Sequence, residues 1–291
     1  MSCARVLVVD GNPAATRQQQ VAAGGSSSGE GYVEVLKTLA AVDCEIVRPA
    51  DGEVRFPAGT GLESFDGVAI TGSALNVYDG GAHIERQIEL ARAVFASGLP
   101  FFGSCWGMQV AVTAAGGRVR RNPLGREFGF GRRIELTAAG CDHPMFAHKP
   151  RVFEAITVHR DDVGELPPDC TVLCRNEMGV QALEVRHAGG SCWGVQYHPE
   201  YTFAEIAATA LRYGPSLISE GLFADAQELD AFVTELRALM TDPRNVRLGW
   251  KHGLGPGLQE RACQLTELSN WLASQVLPHG QRRHQGARSI G

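Results

Sequence analysis

The chain has 291 residues, of which 44% are hydrophobic, so it is long and apolar enough for one large domain or a domain with an appendage. Its formal net charge is −5, and apart from the short stretch Gln281 to Arg288 the sequence has no basic stripe. We therefore do not expect nucleic acid as a partner. No apolar run approaches the roughly eighteen residues that span a bilayer, and no signal peptide precedes the first strand, so we expect a cytoplasmic protein without a membrane partner.

The eight cysteines are scattered along the chain and form no CxxC motif. Several lie in apolar runs, which is typical of buried thiols in a reducing compartment. We therefore predict that seven of the eight are core or incidental thiols. Those in apolar runs are Cys44, Cys170, Cys174 and Cys192.

The first segments predict the start of a parallel sheet. Residues Arg5 to Val9 form a short apolar run that ends at Asp10, as a buried strand does. The stretch Gly24 to Gly31 is small, polar and glycine-rich, but it lacks the GK[ST] ending of a phosphate-binding loop. We predict a mobile loop there, with a lid over the sheet edge as the alternative. A helix is expected from Tyr32 to Leu39 and a second strand from Cys44 to Val47.

The next predicted strand leads into a turn of small residues. Gly67 to Ile70 is apolar, and the turn Thr71 to Ser73 follows it with Gly72 at its centre. The backbone N–H groups of this turn can point outward, although an ordinary strand-to-helix loop is the alternative. Ile84 to Phe95 then carries an apolar helical face, so strand, helix and strand alternate up to Gly117. This alternation predicts a doubly wound α/β domain.

The stretch Leu99 to Gly117 predicts a buried strand, a sharp turn and a helix, with Cys105 at the turn. Gly103 and Gly107 flank the cysteine in a GxCxG pattern, which is the cysteine form of a strained nucleophile elbow. Residues without a Cβ are needed beside a side chain that is held above the sheet in this way. The N-terminal end of the following helix favours thiolate over thiol. We therefore predict that Cys105 is a nucleophile.

The hundred residues after the elbow are richer in short strands. The last of these, Cys192 to Tyr197, ends at His198, Pro199 and Glu200. Because the proline keeps this tripeptide extended, His198 and Glu200 can project to one side, as a histidine base and its orienting carboxylate would. A lone histidine is more often structural, but the elbow cysteine favours the catalytic interpretation. The other strands are expected at Arg132 to Leu136, Thr171 to Cys174 and Gln181 to Val185.

Beyond Tyr201 the chain is predicted to be helical, in the segments Thr202 to Tyr213, Asp225 to Met240 and Gly257 to Leu277. The last segment has apolar residues at a spacing of three and four, and this face either packs on the same domain or forms a dimer contact. From Pro278 onward no apolar period remains, which predicts disorder. We therefore divide the chain into a domain of residues 1–206, a helical extension of residues 207–277 packed on it, and a disordered tail of residues 278–291.

The motifs GSCWGMQ around Cys105 and VQYHPE around His198 resemble those of the class I, triad-type glutamine amidotransferase family. The similarity runs from about Val6 to Ile206, and GREFGFG, VHRDDVGELP and TGSALNVYD look most like the glutaminase half of GMP synthase. No SGGxDS-type ATP pyrophosphatase loop occurs in the chain, so a complete GMP synthase is not expected. The resemblance implies a three-layer α/β fold with a mostly parallel, open, flavodoxin-like sheet and a helical C-terminal extension.

The resemblance also implies a chemistry. Cys105 would attack the side-chain amide of glutamine, His198 would serve as general base and acid, and Glu200 would orient His198. A glutamyl thioester would form, and ammonia would be released for transfer to an acceptor. No cofactor and no metal are expected. The other implied roles are backbone donors to the oxyanion at Gly72 and Trp106, and substrate binding at Gln109, His159, Arg126 and Glu127.

Three functions stay open at this point. The first is a glutamine amidotransferase with glutamine as donor and a synthetase partner or a small-molecule acceptor; Gln109 and the REFG sequence favour it. The second is an acyl-enzyme hydrolase or acyltransferase of the same fold, similar to γ-glutamyl hydrolases or homoserine acyltransferases. The third is a regulatory protein that has lost activity, which the intact Cys105, His198 and Glu200 disfavour. A homodimer is a further option.

Overall fold

The structure, a computed structural model, describes residues 3–56 and 60–289. Within these ranges, nine strands form a central sheet and two more form a separate ribbon. The apolar runs near the N-terminus are buried strands of the sheet, as their composition predicts. The strands are β1 (Ala4–Val9), β2 (Val42–Val47), β3 (Gly67–Ile70), β4 (Phe101–Ser104), β5 (Arg118–Arg121), β6 (Glu127–Leu136), β7 (Val152–His159), β8 (Asp161–Glu165), β9 (Cys170–Asn176), β10 (Gly179–His187) and β11 (Gly190–Val195).

The central sheet is parallel in one half and antiparallel in the other. Its strand order is β2-β1-β3-β4-β11-β10-β9-β6-β7. The strands from β2 to β11 in this order are parallel, whereas β11, β10, β9, β6 and β7 pair antiparallel. Two-residue turns join β9 to β10 and β10 to β11, and such short turns can join only antiparallel neighbours. The α/β fold class is confirmed, with β5 and β8 pairing outside the sheet. Because β1 lies between β2 and β3, the carboxyl ends of β1 and β3 border the crevice where open α/β sheets bind ligands.

Helices cover both faces of the sheet, and the C-terminal part of the chain is itself helical. Within the described ranges, no helix is long and apolar enough to cross a membrane. The helices are α1 (Ala14–Ala22), α2 (Ser28–Leu39), α3 (Ala82–Ser97), α4 (Trp106–Ala114), α5 (Ala138–Asp142), α6 (Phe203–Ser219), α7 (Ala226–Thr241), α8 (Val246–His252), α9 (Pro256–Gln259), α10 (Arg261–Gln264), α11 (Thr266–Trp271) and α12 (Leu277–Ser289), with a π-helical turn at Leu272–Val276.

The side chains divide the molecule into three apolar cores. Alternate residues of β1 point to opposite faces, so Leu7 lies in the core beneath α3 and α4, and Val8 in the core beneath α2 and α11. Trp271 of α11 packs in the second core with its ring centroid 5.7 Å from that of Phe102 in β4. A third core joins α6 and α7 to Ile156 of β7. The two helical layers and the sheet form the three layers expected.

The segment Gly24 to Gly31, predicted to be a loop, is half helical because α2 begins at Ser28. The cause is Asp10, whose carboxylate accepts the N–H of Gly29 at 2.9 Å, as anions do at the first turn of a helix. The N–H of Ser26 donates to Glu205 Oε1 at 2.8 Å. The segment is therefore tied to β1 on one side and to α6 on the other.

The single helix predicted from Gly257 to Leu277 is wrong, because the structure has three short helices and a π-helical turn there. Glu260 adopts an extended conformation, with φ −110° and ψ 110°, and so interrupts the helical path between α9 and α10. The apolar face predicted for this segment packs on the same chain, where Leu268 and Trp271 are fully buried. These side chains are consequently not available for a dimer contact.

The tail predicted to be disordered from residue 278 is helical through Ser289, while residues 290 and 291 lie outside the described residues. Arg283 explains the order, because it donates to Asp66 Oδ2 at 3.0 Å and to the carbonyl of Glu63 at 3.0 Å. Asp66 is fully buried, and a buried carboxylate requires such partners. The prediction of disorder considered only the apolar period of the segment, and that pattern does not show a polar contact such as this one. The division of the chain at residue 206 stays a prediction.

Candidate active site

Cys105 occupies a sharp turn between β4 and α4. Its backbone has φ 50° and ψ −101°, a strained conformation for a residue with a side chain. A Cβ on Gly107 would lie 2.2 Å from the carbonyl oxygen of Ile70, and one on Gly103 would lie 2.5 Å from the carbonyl carbon of Gly107. The two glycines of the GxCxG pattern therefore allow α4 to lie directly against β3 and β4. The turn places Cys105 at the carboxyl edge of the sheet, with 6% of its surface exposed.

His198 connects Cys105 to Glu200. Its Nδ1 lies 2.8 Å from Glu200 Oε1, and its ring is close enough to the Cys105 thiol for the thiol to affect the pKa of the imidazole. Because Nδ1 is engaged by the carboxylate, Nε2 is the ring atom left for the sulfur. All three residues are buried, and the chain anchors the histidine through its own N–H, which donates to the carbonyl of Ile156 at 2.8 Å. The two motifs that are far apart in sequence thus meet at one point.

The environment of His198 favours its charged form. Burial of the imidazole works against charge, but the Glu200 carboxylate and the hydrogen bonds to Cys105 and Glu200 outweigh it and raise the pKa of His198 to about 10. An imidazolium beside a sulfur atom favours the thiolate, which is the nucleophilic form of cysteine. At neutral pH the ring is therefore an imidazolium that can stabilise negative charge on a neighbouring atom.

Glu200 is held by groups that sequence reasoning missed. Ser104 Oγ donates to Glu200 Oε2 at 3.2 Å, and the Tyr32 hydroxyl lies 2.9 Å from Ser104 Oγ. Ser104 directly precedes Cys105, so its place in the elbow was a signal that could have drawn attention to it. Tyr32 comes from α2, and its contact could not be inferred from its position in the sequence.

Gly72 and Trp106 lie just beyond the carboxyl ends of two neighbouring strands, β3 and β4. Gly72 follows β3 and touches the histidine so closely that a Cβ there would lie 2.5 Å from His198 Cε1. Trp106 is the first residue of α4, and the N–H groups of a first turn have no acceptor within their helix. The Trp106 indole is buried and donates to Gln87 Oε1 at 2.7 Å, so the backbone of Trp106 is the part that faces the elbow.

Gln109 reaches Cys105 through a second glutamine. Gln109 Nε2 donates to Gln196 Oε1 at 3.2 Å, and Gln196 Nε2 donates to Cys105 Sγ at 3.3 Å. Gln196 was not among the predicted site residues, although it stands in the VQYHPE motif two positions before His198. The contact gives the sulfur a hydrogen-bond donor in addition to the nearby imidazole of His198.

A cleft of about 120 Å³ opens at Cys105. Tyr213 is part of its wall, and the Arg126 guanidinium lies 4.9 Å from the Tyr213 ring centroid while donating to both oxygens of Glu220 at 2.7 and 3.1 Å. Arg160 and Asp161 bring a cation and an anion to the same cleft. The lining residues are Ser73, Ala74, Leu75, Asn76, Cys105, Gln109, Arg126, Val158, His159, Arg160, Asp161, Tyr213 and Ser216.

Glu127 lies behind His159 and does not belong to the described lining of the cleft. Its carboxylate lies 2.7 Å from His159 Nε2 and accepts hydrogen bonds from Asn176 at 2.6 Å and Gln181 at 2.9 Å. His159 Nδ1 in turn lies 3.0 Å from the carbonyl of Asp161. Because Asn176 and Gln181 hold its carboxylate, Glu127 can fix the orientation of the His159 ring. Of the four predicted substrate contacts, the structure brings Gln109, Arg126 and His159 together at the cleft.

The model of the family described as glutamine amidotransferase class-I matches residues 30–213. The chain belongs to the class I glutamine amidotransferase family. The matched residues contain both the elbow and His198, and they end before α7 begins. Within the described residues, no group of three or more His, Cys, Asp or Glu side chains is arranged to hold a metal ion.

Two relatives of this amidotransferase-family chain differ in how much of the chain they match. The chain is 32% identical over 285 residues to the γ-glutamyl-L-1-hydroxyisopropylamide hydrolase of a Pseudomonas species, a match that covers 96% of the chain and 95% of that protein. It is 34% identical over 146 residues to the GMP synthase of Thermomicrobium roseum, which covers 50% of the chain and 25% of that protein. The first similarity includes the C-terminal extension, whereas the second spans a quarter of the synthase.

The fold has solved counterparts in the family. A glutamine amidotransferase structure from Thermotoga maritima superposes with a TM-score of 0.65 at 17% sequence identity, covering 95% of this chain and 99% of that one. At this identity the likeness shows the fold alone. It supports the three-layer α/β arrangement.

Proposed function

We propose that the chain cleaves γ-glutamyl amides through a thioester on Cys105. The observation that carries the proposal is the strained elbow at Cys105 next to His198, whose Nδ1 lies 2.8 Å from Glu200 Oε1. The thiolate attacks the amide carbon and forms a C–S bond, while the N–H groups of Gly72 and Trp106 stabilise the oxyanion. His198 gives its proton to the departing nitrogen as the C–N bond breaks. His198 then takes a proton from water, whose oxygen displaces the sulfur and releases glutamate.

The charges of the cleft fit the amino-acid end of such a substrate. Arg160 Nε is buried and has no hydrogen-bond partner among the described residues, so it is available for an α-carboxylate. Asp161 accepts from the Tyr78 hydroxyl at 2.9 Å through Oδ1, which leaves Oδ2 for an α-ammonium group. A γ-glutamyl group carries both of these charges at neutral pH. This pair, Arg160 and Asp161, supports recognition of the glutamyl side of the amide.

Hydrolysis of N-substituted γ-glutamyl amides is the function that we favour. The similarity to the Pseudomonas hydrolase runs from end to end and includes the extension that the family model does not cover. That relative acts, by its name, on a γ-glutamyl amide with a hydroxyisopropyl substituent. Water then serves as the acceptor of the glutamyl group, and no synthetase partner is required.

Ammonia transfer from glutamine is the second candidate. It is supported by the similarity of half of the chain to GMP synthases and by the hydrogen bonds that connect Gln109 to Gln196 and Gln196 to Cys105. In this case glutamine is the donor, and a synthetase or a small molecule accepts the ammonia. The two candidates share the thioester and differ in the nitrogen that leaves.

The deciding experiment compares L-glutamine with γ-glutamylethylamide as substrates of the purified chain. Glutamate release is followed for the wild type, for Cys105→Ala and for Cys141→Ala, whose exposed thiol lies outside the site. We expect the ethylamide to be cleaved at least as efficiently as glutamine, with activity lost only in Cys105→Ala. Turnover of glutamine alone would favour the second candidate. No Cys105-dependent glutamate from either substrate would reject the thioester mechanism.

A further inference from the structure

Arg261 of the C-terminal extension binds the backbone on which His198 and Glu200 stand. Its Nη1 donates to the carbonyls of Pro199 at 3.2 Å and Tyr201 at 2.8 Å, and its Nη2 donates to the carbonyl of Glu200 at 2.7 Å. One guanidinium thus satisfies three consecutive carbonyls. The planar fork of arginine is suited to this task, because its donors have a fixed geometry.

The three carbonyls converge because the segment turns directly after His198. Converging carbonyl dipoles repel one another, and buried ones require donors. Pro199 and Glu200 are buried, so water does not replace the guanidinium readily. Burial lowers the pKa of Arg261 while the nearby Glu200 carboxylate raises it, and the group stays cationic. The conformation of residues 199–201 therefore depends on a side chain from outside the segment.

Two of the three bonded carbonyls belong to residues whose side chains contact His198. The side chain of Glu200 binds Nδ1 of His198, and the ring of Tyr201 stacks on the imidazole with centroids 4.0 Å apart. A shift of either backbone would rotate or tilt the imidazole relative to the Cys105 sulfur. Arg261 thus influences the orientation of His198 indirectly, through Glu200 and through Tyr201.

A second anchor from the extension lies on the other side of His198. The Tyr197 hydroxyl donates to Glu267 of α11, and Lys149 Nζ binds the same carboxylate at 2.9 Å. Lys149 also donates to the carbonyl of Cys263 at 2.8 Å. Glu267 and Lys149 are almost fully buried, so this anchor is part of the packed interior. The extension therefore holds the catalytic segment at residue 197 and again at residues 199–201.

We propose that Arg261 is a positioning residue that sets the orientation of His198 and Glu200, and that the C-terminal extension is for this reason a part of the active site. The proposal rests on the proposed function, in which His198 acts on Cys105. The family model ends at residue 213, so the shared amidotransferase pattern does not include this contribution. Arg261 Nη1 also donates to Gln264 Oε1 at 3.0 Å, but within residues 199–201 it binds only backbone carbonyls, and it acts through the side chains of those residues.

The test uses three variants of the full chain. Arg261→Met keeps the length of the aliphatic stem and removes the charge and all donors, whereas Arg261→Lys keeps a cation without the planar fork. Arg247→Met, an exposed arginine of α8, is the matched control. For each variant we measure kcat and KM on the better amide substrate, the pH dependence of Cys105 alkylation by iodoacetamide, and the thermal unfolding midpoint.

We expect kcat of Arg261→Met to fall by about 100-fold, the effect of misplacing a reacting group by roughly 1 Å, with KM changed less than about twofold. The alkylation rate of Cys105 should fall near neutral pH and recover only at higher pH, because a displaced imidazolium no longer supports the thiolate. Arg261→Lys should lie between Arg261→Met and the wild type. Arg247→Met should match the wild type in all three measurements.

A folded Arg261→Met variant with the kcat and the alkylation profile of the wild type would overturn the proposal, whatever its unfolding midpoint. If that variant does not fold, Arg261→Lys decides alone, and wild-type values for it would overturn the proposal equally. The proposed function fails separately, if the wild type shows no Cys105-dependent amide cleavage. In that case the alkylation profiles still report whether Arg261 controls the environment of Cys105.

Discussion

The rings of Tyr201 and His198 lie face to face, with centroids 4.0 Å apart and 22° between their planes. The tyrosine follows the HPE tripeptide and packs on the imidazole, which leaves the ring edge to Glu200 and Cys105. A histidine that must exchange protons with two partners in different steps requires a fixed ring plane. Stacking supplies this restraint without using either ring nitrogen.

Replacing Tyr201 by leucine should therefore lower kcat. The lost aromatic pair corresponds to about 1 kcal/mol, which is about fivefold in rate if it is lost in the transition state. Tyr201→Phe keeps the ring and serves as the matched variant, with kcat close to that of the wild type. Steady-state kinetics on the amide substrate check the prediction, and equal kcat values for the leucine and phenylalanine variants would contradict it.

Glu200→Gln should change the pH dependence of Cys105 reactivity. Without the carboxylate, the burial of His198 is no longer outweighed, so the imidazole loses its proton at lower pH than in the wild type, where its pKa is about 10. We expect the wild type to react with iodoacetamide at a nearly constant rate from about pH 7 to pH 9, and the variant to react appreciably only at higher pH. Superimposable profiles would show that Glu200 does not control the charge of His198.

The same raised pKa predicts how stability depends on pH. A group whose folded-state pKa lies above the unfolded value near 6.5 binds its proton more tightly in the folded protein. Its contribution is fully present below about pH 6.5 and is lost as the pH rises through about 10. The difference in the free energy of unfolding between the wild type and His198→Asn should therefore shrink over this range. Urea titrations at pH 6, 8 and 10 measure it, and a difference that grows with pH would contradict the sign.

Adding a single methyl group at an elbow glycine should disturb the local packing strongly. Gly107→Ala would place a Cβ 2.2 Å from the carbonyl oxygen of Ile70, so α4 must move away from β3. Overpacking of this kind destabilises proteins by about 1–3 kcal/mol, and here it also displaces Cys105. Gly52→Ala is the control, since a Cβ there meets no atom within 4 Å. Thermal unfolding and kcat should both fall for Gly107→Ala, and equal midpoints for the two variants would refute the steric argument.

The sequence predicted those site residues that lie in contiguous motifs with their own chemical logic. Cys105 is marked by its flanking glycines, and His198 and Glu200 by the proline between them. Arg261 could not be found in this way, because its partners are backbone carbonyls and any residue type provides those. The alternation of strands and helices predicted the parallel half of the sheet. The break at Glu260 and the helical tail escaped prediction, because they depend on contacts with distant residues.

Arg283 offers a test of that tail. It donates to Asp66 Oδ2 at 3.0 Å, and this fully buried carboxylate also accepts the N–H of Arg5 at 2.8 Å. Arg283→Met leaves the carboxylate with one donor fewer, which should cost about 1–3 kcal/mol in the free energy of unfolding. The exposed neighbour Arg282 is the control, and Arg282→Met should be neutral. Because Asp66 directly precedes β3 and lies at the opposite end of that strand from Gly72, kcat should stay unchanged in both variants. Equal stability of the two variants would mean that α12 contributes nothing through Asp66, and the tail would then act as the disordered segment that its composition suggested.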